Sequence, residues 1–337
     1  MLTADFDYEL PESAIAQSPI EPRDSSRLLV TADMSDHVFS ELAELLGPDD
    51  IVVVNDTRVR SARLHLTKTE TGGAVELLLL ERLESGNWEA LVRPARRLRR
   101  GTRLSGEHLE ARLESDPADG IAVVSVEADD AAEEVIEEAG EVPLPPYITV
   151  PLPDPSRYQT VYARTTGSAA APTAGLHFTP ALLERLEEKT AGIARVELRV
   201  GLGTFRPIST DRIEDHEMHR EWASVPEETV AAVVDARGRG GRVVAIGTTV
   251  VRALETAALS GSLEPWTGHT DLFITPGFEF RVVDRLVTNF HLPRSSLLVM
   301  IAAFMGPKWR DAYSVALERG YRFLSFGDAM LCDREEK

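Results

Sequence analysis

Several apolar, strand-like runs in this chain end abruptly at small clusters of Gly, Thr, Asn, Arg or His. Three of these clusters follow the runs at 51–54, 195–200 and 242–246. Two more interrupt apolar sequence at 172–178 and 288–293. Core packing does not require such residues, whereas polar clusters at the carboxyl ends of strands are where ligands bind in α/β sheets. The pattern therefore predicts an α/β enzyme whose site is assembled from several strand ends.

Length and composition restrict the class of protein further. The chain has 337 residues, so a large domain and a smaller one are expected. No apolar run approaches the roughly 20 residues of a membrane helix, and the beginning of the chain lacks a basic-then-apolar signal. We therefore expect a soluble, cytoplasmic protein with no membrane partner. Cys332 is the only cysteine, which excludes an internal disulfide and a cysteine-based metal cluster.

The pattern of predicted strands and helices changes twice along the chain. Residues 1–62 begin in the βα manner, with a predicted helix at 39–46 before the strand at 51–54. Residues 63–150 contain short alternating runs separated by Gly-rich turns, which is typical of a small antiparallel β domain. A proline-rich connector follows, and the α/β texture resumes over 151–337. We predict a discontinuous α/β domain, 1–62 and 151–337, with a β domain inserted at 63–150.

Helix starts are predicted at three places in the second half of the chain. Thr179 precedes a proline, the pattern of an N-cap followed by proline at the first helical position. Thr248 or Thr249 is predicted to cap the next helix. Ser295 or Ser296 is predicted to begin a third, strongly apolar helix.

The segment Gly247-Thr248-Thr249 joins a strand end to a helix start. Backbone N–H groups, two hydroxyls and the positive end of a helix dipole meet there, with Arg252 about one turn into the helix. A carboxylate or phosphate would be accommodated, although an ordinary capped helix with a solvated arginine fits equally well. Gly201 and Gly203 allow close approach of a ligand to the backbone, but a plain tight turn is an alternative.

Four histidines are candidates for chemistry. His216 and His219 lie three residues apart and invite a metal hypothesis together with His291, but the spacing matches no common zinc motif. We therefore predict no metal. Neutral imidazole suits proton transfer near pH 7, so His177, His216, His219 and His291 are acid/base or hydrogen-bonding candidates, or else structural residues.

A cluster of arginines stands out against the net charge of −19, which opposes indiscriminate binding of nucleic acid. One interpretation is a solvated hairpin. The other, which we favour, is contact with RNA phosphates, because concentrated guanidinium groups create the local positive potential that this contact needs. The candidate RNA-binding residues are Arg93, Arg96, Arg97, Arg99 and Arg100, with Arg103 nearby.

Twelve motifs run collinearly through nearly the whole chain. They are DFDYELPESAIAQSPIEPRDSSRLLV, NDTRV, GGAVELLL, PLPPYI, YQTVYA, AAPTAGLHFT, VGLGTFRPI, EDHEMHREW, AIGTTVVRALE, DLFITPGF, VDRLVTNFHLP and YRFLSFGDAML. Together they closely resemble the S-adenosylmethionine:tRNA ribosyltransferase-isomerase family of queuosine biosynthesis. The sequence departs from that family at Ser61, where proline is usual, and at Arg199, where histidine is common.

The resemblance implies a barrel-like α/β main domain that carries an inserted small antiparallel β-barrel domain. It implies transfer of the ribosyl group of S-adenosylmethionine to 7-aminomethyl-7-deazaguanine at the tRNA wobble position, giving epoxyqueuosine-tRNA, adenine and methionine. It further implies no cofactor beyond S-adenosylmethionine as co-substrate. The expected partners are that tRNA and S-adenosylmethionine; no obligate protein partner is indicated.

This reaction sets tasks for the polar clusters: to bind the amino acid end, to move protons, and to stack on a base. His177, His291, His216 and His219 are the catalytic candidates, Arg252 with the threonine pair suits the methionine carboxylate or a tRNA phosphate, and the phenylalanines suit stacking. The predicted substrate-binding residues are Asn55, Asp56, Arg58, Thr173, Gly175, Phe178, Gly201, Gly203, Thr204, Phe205, Gly247, Thr248, Thr249, Arg252, Asn289 and Phe290. Two alternatives stay open: a tRNA-binding relative without turnover, and the same chemistry on another amine acceptor.

Overall fold

A computed structural model describes residues 1–128, 132–201 and 207–335. The chain forms two compact units. The main unit comprises Met1–Arg58, Pro145–Thr165 and Ala171–Lys337, and the barrel unit comprises Val59–Leu144 and Thr166–Ala170.

The strands are numbered in chain order. They are β1 (Arg27–Val30), β2 (Ser35–Val38), β3 (Ile51–Asn55), β4 (Thr57–Val59), β5 (Arg63–Lys68), β6 (Ala74–Arg82), β7 (Trp88–Arg93), β8 (Arg103–Ser105), β9 (Leu109–Leu113), β10 (Ile121–Ala128), β11 (Thr165–Ser168), β12 (Ile193–Leu198), β13 (Glu221–Val225), β14 (Val243–Ile246), β15 (Trp266–Thr270), β16 (Arg285–Asn289) and β17 (Ala329–Asp333). The α-helices are α1 (Ala132–Ala139), α2 (Pro180–Lys189), α3 (Glu227–Gly238), α4 (Thr248–Ala257), α5 (Ser296–Met305) and α6 (Lys308–Glu318).

The main unit is built on a nine-stranded mixed sheet. Its strand order is β15-β13-β12-β3-β14-β16-β17-β1-β2, so β15 and β2 are its edges. The four consecutive strands β12, β3, β14 and β16 are mutually parallel. Their carboxyl ends therefore meet at one edge of the sheet.

The central strands are apolar along their whole length because both faces of the sheet are covered. Every residue of β3, β14 and β16 is buried, which is the pattern of a parallel strand covered on both sides. On one face, the core includes Phe39, Phe178 and Leu182, which pack with Val52 and Ile246 of the strands. Cys332 of β17 is also fully buried, and burial raises the pKa of its thiol.

The predicted helix starts are confirmed in two of three cases. Thr179 Oγ1 accepts a hydrogen bond from the Leu182 amide at 3.2 Å, and Ser295 Oγ accepts one from the Leu298 amide at 3.2 Å. The threonine cap of α4 is wrong: the cap position is Gly247, at φ +93°, and both threonines lie inside the helix. Glycine adopts this positive φ more readily than other residues, and Gly247 therefore forms the turn between β14 and α4.

The predicted helix at 39–46 is found as a 3₁₀ helix, Phe39–Glu44. It buries Phe39 and Leu42 and lies against α2. A 3₁₀ helix is common in short segments, and only Leu45 and Leu46 separate the end of this one from Gly47-Pro48.

The barrel unit is a closed antiparallel barrel with strand order β10-β7-β6-β5-β8-β9. The burial of successive residues alternates along β9 and β7, as one-sided burial requires. Helix α1 lies against β9 and β10. The predicted α/β class of the main domain and the inserted small antiparallel β-barrel are confirmed; the main sheet, which was predicted to be barrel-like, is a large mixed sheet with β15 and β2 at its edges. This unit shares residues 63–144 with the predicted insert at 63–150.

Candidate active site

The main unit has a cleft at the carboxyl ends of its parallel strands. It contains about 630 Å³ of empty space, open solvent included. The lining residues are Tyr147, Ala171, Pro172, Thr173, Ala174, Val200, Gly247, Thr248, Thr249, Thr288, Asn289, Phe290, His291, Leu292, Ser295, Leu297, Leu324 and Ser325. Three parallel strands lead into it: Val200 follows β12, Gly247 follows β14, and Asn289 ends β16.

The polar groups that line this cleft are uncharged. Within the described residues, its lining contains hydroxyls, one carboxamide and one imidazole, but no Asp, Glu, Lys or Arg. Seven predicted site residues line it: Thr173, Gly247, Thr248, Thr249, Asn289, Phe290 and His291. Sequence reasoning missed Tyr147 and Ser325, whose hydroxyl oxygens lie 2.7 Å apart. The signals for them, the connector PLPPYI and the motif SFGDAM, were visible as motifs but not as parts of one site.

Asn289 is held in one orientation by three neighbours. Its Nδ2 donates to the Asp328 carbonyl at 3.4 Å, which fixes the amide, and its Oδ1 accepts from the Thr173 hydroxyl at 2.9 Å. Nδ2 also lies 3.2 Å from His177 Nε2, so that nitrogen must accept. The carboxamide therefore sits in the cleft wall with its geometry set before any ligand arrives.

His177 lies behind the cleft wall, not in it. Since Nε2 accepts, its Nδ1 carries the proton and donates to Ser26 Oγ at 2.8 Å. The ring stacks on Phe39 with centroids 4.8 Å apart. Burial, with Arg322 and Arg23 nearby, lowers the pKa of His177 to about 3. Both ring nitrogens are occupied by protein, so the geometry makes His177 a positioning residue for Asn289 and does not fit direct proton transfer.

His291 is the histidine that faces the cleft. Its Nε2 lies 3.0 Å from Thr288 Oγ1, and Nδ1 makes no hydrogen bond to any described residue. The backbone is held on both sides, because its N–H donates to the Tyr313 hydroxyl at 3.0 Å and its carbonyl accepts from the Tyr8 hydroxyl. Burial lowers the pKa of His291 to about 3, so the ring is neutral at pH 7.

The depressed pKa of His177 predicts a pH-dependent stability. In the unfolded chain a histidine has a pKa near ~6.5, so between about pH 6.5 and pH 3 the unfolded state binds the extra proton and the free energy of unfolding falls as the pH falls. His177→Gln removes this proton. We expect the stability deficit of His177→Gln relative to wild type to shrink by about 2 kcal/mol between pH 7.5 and pH 5. Urea unfolding at both pH values measures it; a constant deficit would mean that His177 is not held neutral.

The side chain of Asn55 makes hydrogen bonds within the protein, between the ends of strands and a helix. It is fully buried, its Nδ2 donates to the Leu198 carbonyl at 2.9 Å and to Thr249 Oγ1 at 3.2 Å, and its Oδ1 accepts from the Leu198 amide at 3.1 Å. The predicted substrate contact does not fit this geometry. Asn55 connects β3, the end of β12 and the first turn of α4, and so supports the cleft from behind.

Arg252 also faces away from the cleft. Its guanidinium pairs with Glu221, and both side chains are at most 5% exposed. Nε donates to the Leu272 carbonyl at 3.2 Å. Glu221 in turn accepts from the Gly201 amide at 2.8 Å. The charge of Arg252 is thus neutralised inside the protein, and the predicted binding of a ligand anion by this side chain does not fit.

Of the predicted stacking residues, Phe178 and Phe290 belong to the core. Phe178 packs edge-on against Phe39, and Phe290 stacks on Phe323 at 4.7 Å, both fully buried. Only part of Phe290 contributes to the lining, so neither ring is free to stack on a base. Gly175 is required by packing, because a Cβ there would lie 2.0 Å from the Tyr162 hydroxyl.

The other predicted site residues that the structure describes do not line the cleft. Arg58 and His219 are exposed, and His216 packs edge-on against Phe273. Burial lowers the pKa of His216, and burial raises the pKa of Asp56, which is half-buried after β3. Gly201 lies beyond Val200 and is half-buried. The predicted residues Gly203, Thr204 and Phe205 lie outside the described residues.

The arginine cluster lies on the barrel unit as a basic patch. Its five predicted RNA-binding residues, Arg93, Arg96, Arg97, Arg99 and Arg100, are all exposed. None of them pairs with a carboxylate of a described residue, in contrast to Arg82 and Arg112 of the same unit, which pair with Glu133 and Glu114. In the main unit, the family departure Arg199 bonds Glu197 at 2.8 Å and lies over the Trp222 ring at 4.2 Å.

Two kinds of feature are absent from the residues that the structure describes. These residues contain no group of three or more His, Cys, Asp and Glu side chains arranged to hold a metal ion. They also contain no helix that is both long enough and apolar enough to cross a membrane.

The chain is similar to known proteins over nearly its whole length. A family model described as "Queuosine biosynthesis protein" matches residues 3–332. The S-adenosylmethionine:tRNA ribosyltransferase-isomerases of Thermotoga maritima and Moorella thermoacetica are 50% and 51% identical to the chain, and each alignment covers 98% of the chain and 99% of the relative. A crystal structure of S-adenosylmethionine tRNA ribosyltransferase from Thermotoga maritima is 42% identical, with a TM-score of 0.56 over 97% of this chain and 99% of that one. The chain belongs to the S-adenosylmethionine:tRNA ribosyltransferase-isomerase family of queuosine biosynthesis.

Proposed function

We propose that the protein transfers and isomerises the ribosyl group of S-adenosylmethionine onto 7-aminomethyl-7-deazaguanine at the tRNA wobble position. Epoxyqueuosine-tRNA would form, with release of adenine and methionine, and S-adenosylmethionine would be the co-substrate with no further cofactor. The main support is the family relationship, with about half of all residues identical over 98% of the chain.

The cleft supports the proposal chemically. The sulfonium of S-adenosylmethionine acidifies the adjacent C5′ protons, so one neutral proton acceptor is needed to form the ylide-like carbanion that leads to loss of adenine. His291 lines the cleft, is neutral at pH 7 and has one ring nitrogen that bonds to no described residue. We therefore assign proton transfer to His291 and assign orientation of the substrate to Asn289.

The test is a direct assay of products. The purified protein is incubated with S-adenosylmethionine and tRNA carrying 7-aminomethyl-7-deazaguanine, and adenine, methionine and epoxyqueuosine are measured by mass spectrometry. Equal amounts of the three are expected, and the same tRNA with guanine at the wobble position is the control. Absence of all three products while tRNA binding is intact would contradict the proposal and favour a relative without turnover or another acceptor.

The basic patch carries a separate prediction for tRNA binding. Replacing Arg96, Arg97 and Arg99 by alanine removes up to three phosphate contacts. The slope of log K against log salt concentration is then expected to become shallower by about 2 to 3, and tRNA affinity at 0.15 M salt to fall at least about tenfold. Fluorescence anisotropy over a salt series measures both quantities.

The matched control for this triple variant is Arg82→Ala with Arg112→Ala. These arginines are exposed on the same unit, at 53% and 54% of their side-chain surface, but each is already paired with a glutamate. They should leave the salt slope nearly unchanged. Equal slopes for the triple variant and wild type would exclude the patch from tRNA binding.

A further inference from the structure

Two α-helices begin at the cleft, and their first turns differ. The N-terminus of helix α5 is capped by a side chain, because Ser295 Oγ accepts a hydrogen bond from the Leu298 amide. Helix α4 begins at Gly247, which has no side chain to cap the helix, and no side chain of a described residue caps its first amides. The leading N–H groups of a helix have no acceptor within the helix, so those of Thr248 and Thr249 are available to a ligand.

The hydroxyls next to these amides are also available. Thr248 is 7% exposed, lines the cleft, and its hydroxyl makes no hydrogen bond to any described residue. Thr249 is 9% exposed, and its Oγ1 accepts from Asn55 Nδ2, so its own proton remains to be donated. The Thr248 hydroxyl, which lines the cleft and has no partner among the described residues, is therefore a donor that a bound ligand can use.

The charge of a ligand group that would bind at this turn follows from the surrounding residues. Four donors and the positive end of a ten-residue helix converge at one end of the cleft, and no acidic side chain lines it within the described residues. Arg252 adds no net positive charge, because Glu221 neutralises it. A single negative charge of small size, such as a carboxylate, fits a site that has donors but no cationic side chain.

We propose that the first turn of α4, through the amides and hydroxyls of Thr248 and Thr249, binds the carboxylate of the methionine end of S-adenosylmethionine. This subsite rests on the proposed use of S-adenosylmethionine. It places the amino acid end at the carboxyl end of β14. The sulfonium and the ribose then lie elsewhere in the same cleft, which His291 also lines.

The experiment compares two sulfonium ligands by isothermal titration calorimetry, without turnover. They are S-adenosylmethionine and decarboxylated S-adenosylmethionine, which keeps the sulfonium, the amine and the adenosine. We expect wild type to prefer the carboxylate form by about 100-fold, and Thr248→Val to reduce this preference to about tenfold, since a hydrogen bond to a charged group is worth roughly a factor of ten or more. Thr248→Ser, which keeps the hydroxyl, should restore the preference.

Ser325→Ala is the matched control, because Ser325 lines the same cleft but its hydroxyl bonds Tyr147. It should keep the full preference for the carboxylate. Equal binding of both ligands by wild type, or an undiminished preference in Thr248→Val, would overturn the subsite while the proposed reaction stands. Binding of neither ligand by wild type would overturn the proposed function and the subsite together. Melting temperatures establish folding, and Thr248→Ala replaces the valine variant if that variant does not fold.

Discussion

Replacement of Asn289 by leucine is expected to lower kcat/KM for ribosyl transfer by about 100-fold, the effect of losing a preorganised polar group from an active site. Leucine has nearly the same shape but can neither donate to His177 Nε2 nor accept from the Thr173 hydroxyl. A buried acceptor left without a donor should also cost about 1–3 kcal/mol of stability. Steady-state release of adenine measures the activity, and urea unfolding measures the stability.

Thr173→Val is the graded control for Asn289→Leu. It removes only the bond to Asn289 Oδ1 and leaves the contact with His177 in place. We expect a loss of about tenfold, the worth of one hydrogen bond. If Asn289→Leu retained more than a third of wild-type kcat/KM, Asn289 would be a structural residue and the cleft wall would need another orienting group.

Arg252→Met is expected to lower the free energy of unfolding by about 3–5 kcal/mol, because it removes the guanidinium from a buried ion pair and leaves the charge of the Glu221 carboxylate in place. The double variant Arg252→Met with Glu221→Gln should lose clearly less than the single variant, since both charges of the pair are then removed. Glutamine can still accept from the Gly201 amide. Urea unfolding of the four members of this double-mutant cycle gives the coupling energy of the pair.

Arg252→Lys separates the charge from the geometry. It keeps a cation beside Glu221 but cannot reproduce the bond from Nε to the Leu272 carbonyl. An intermediate loss, about 1–2 kcal/mol, is expected. A loss below 1 kcal/mol for Arg252→Met would show that the ion pair with Glu221 contributes little to the stability of the native state.

Much of the fold was predictable because local signals agree with it. The apolar runs of β3 and β14, with a polar residue or glycine directly after them, were predicted as buried strands. Thr179 and Ser295 carried cap chemistry that depends only on residues three positions away. Strand alternation over 63–150 predicted a small antiparallel β domain, and the resemblance to the family implied that this domain is a barrel. The strands and the helix caps were predictable because the interactions that decide them lie within a few residues along the chain.

The composition of the site was less predictable because the deciding partners are remote. Arg252 at a helix start suggests an anion site until Glu221, 31 residues earlier, is placed against it. His177 was predicted to transfer protons, but Ser26 and Asn289 occupy its two ring nitrogens. Phe178 and Phe290 fill the core, which an apolar residue beside a polar motif does not reveal. Tyr147 comes from a connector that carried no chemical signal of its own.

The burial of Cys332 makes the native sequence a ready background for site-specific labelling. The only thiol of the chain is fully covered in β17 and its pKa is raised, so it should react slowly with maleimides in the folded protein. A cysteine introduced at an exposed position would then carry a single dye while the natural cysteine stays in place. The slow modification of Cys332 itself would report how often the nine-stranded sheet opens around β17.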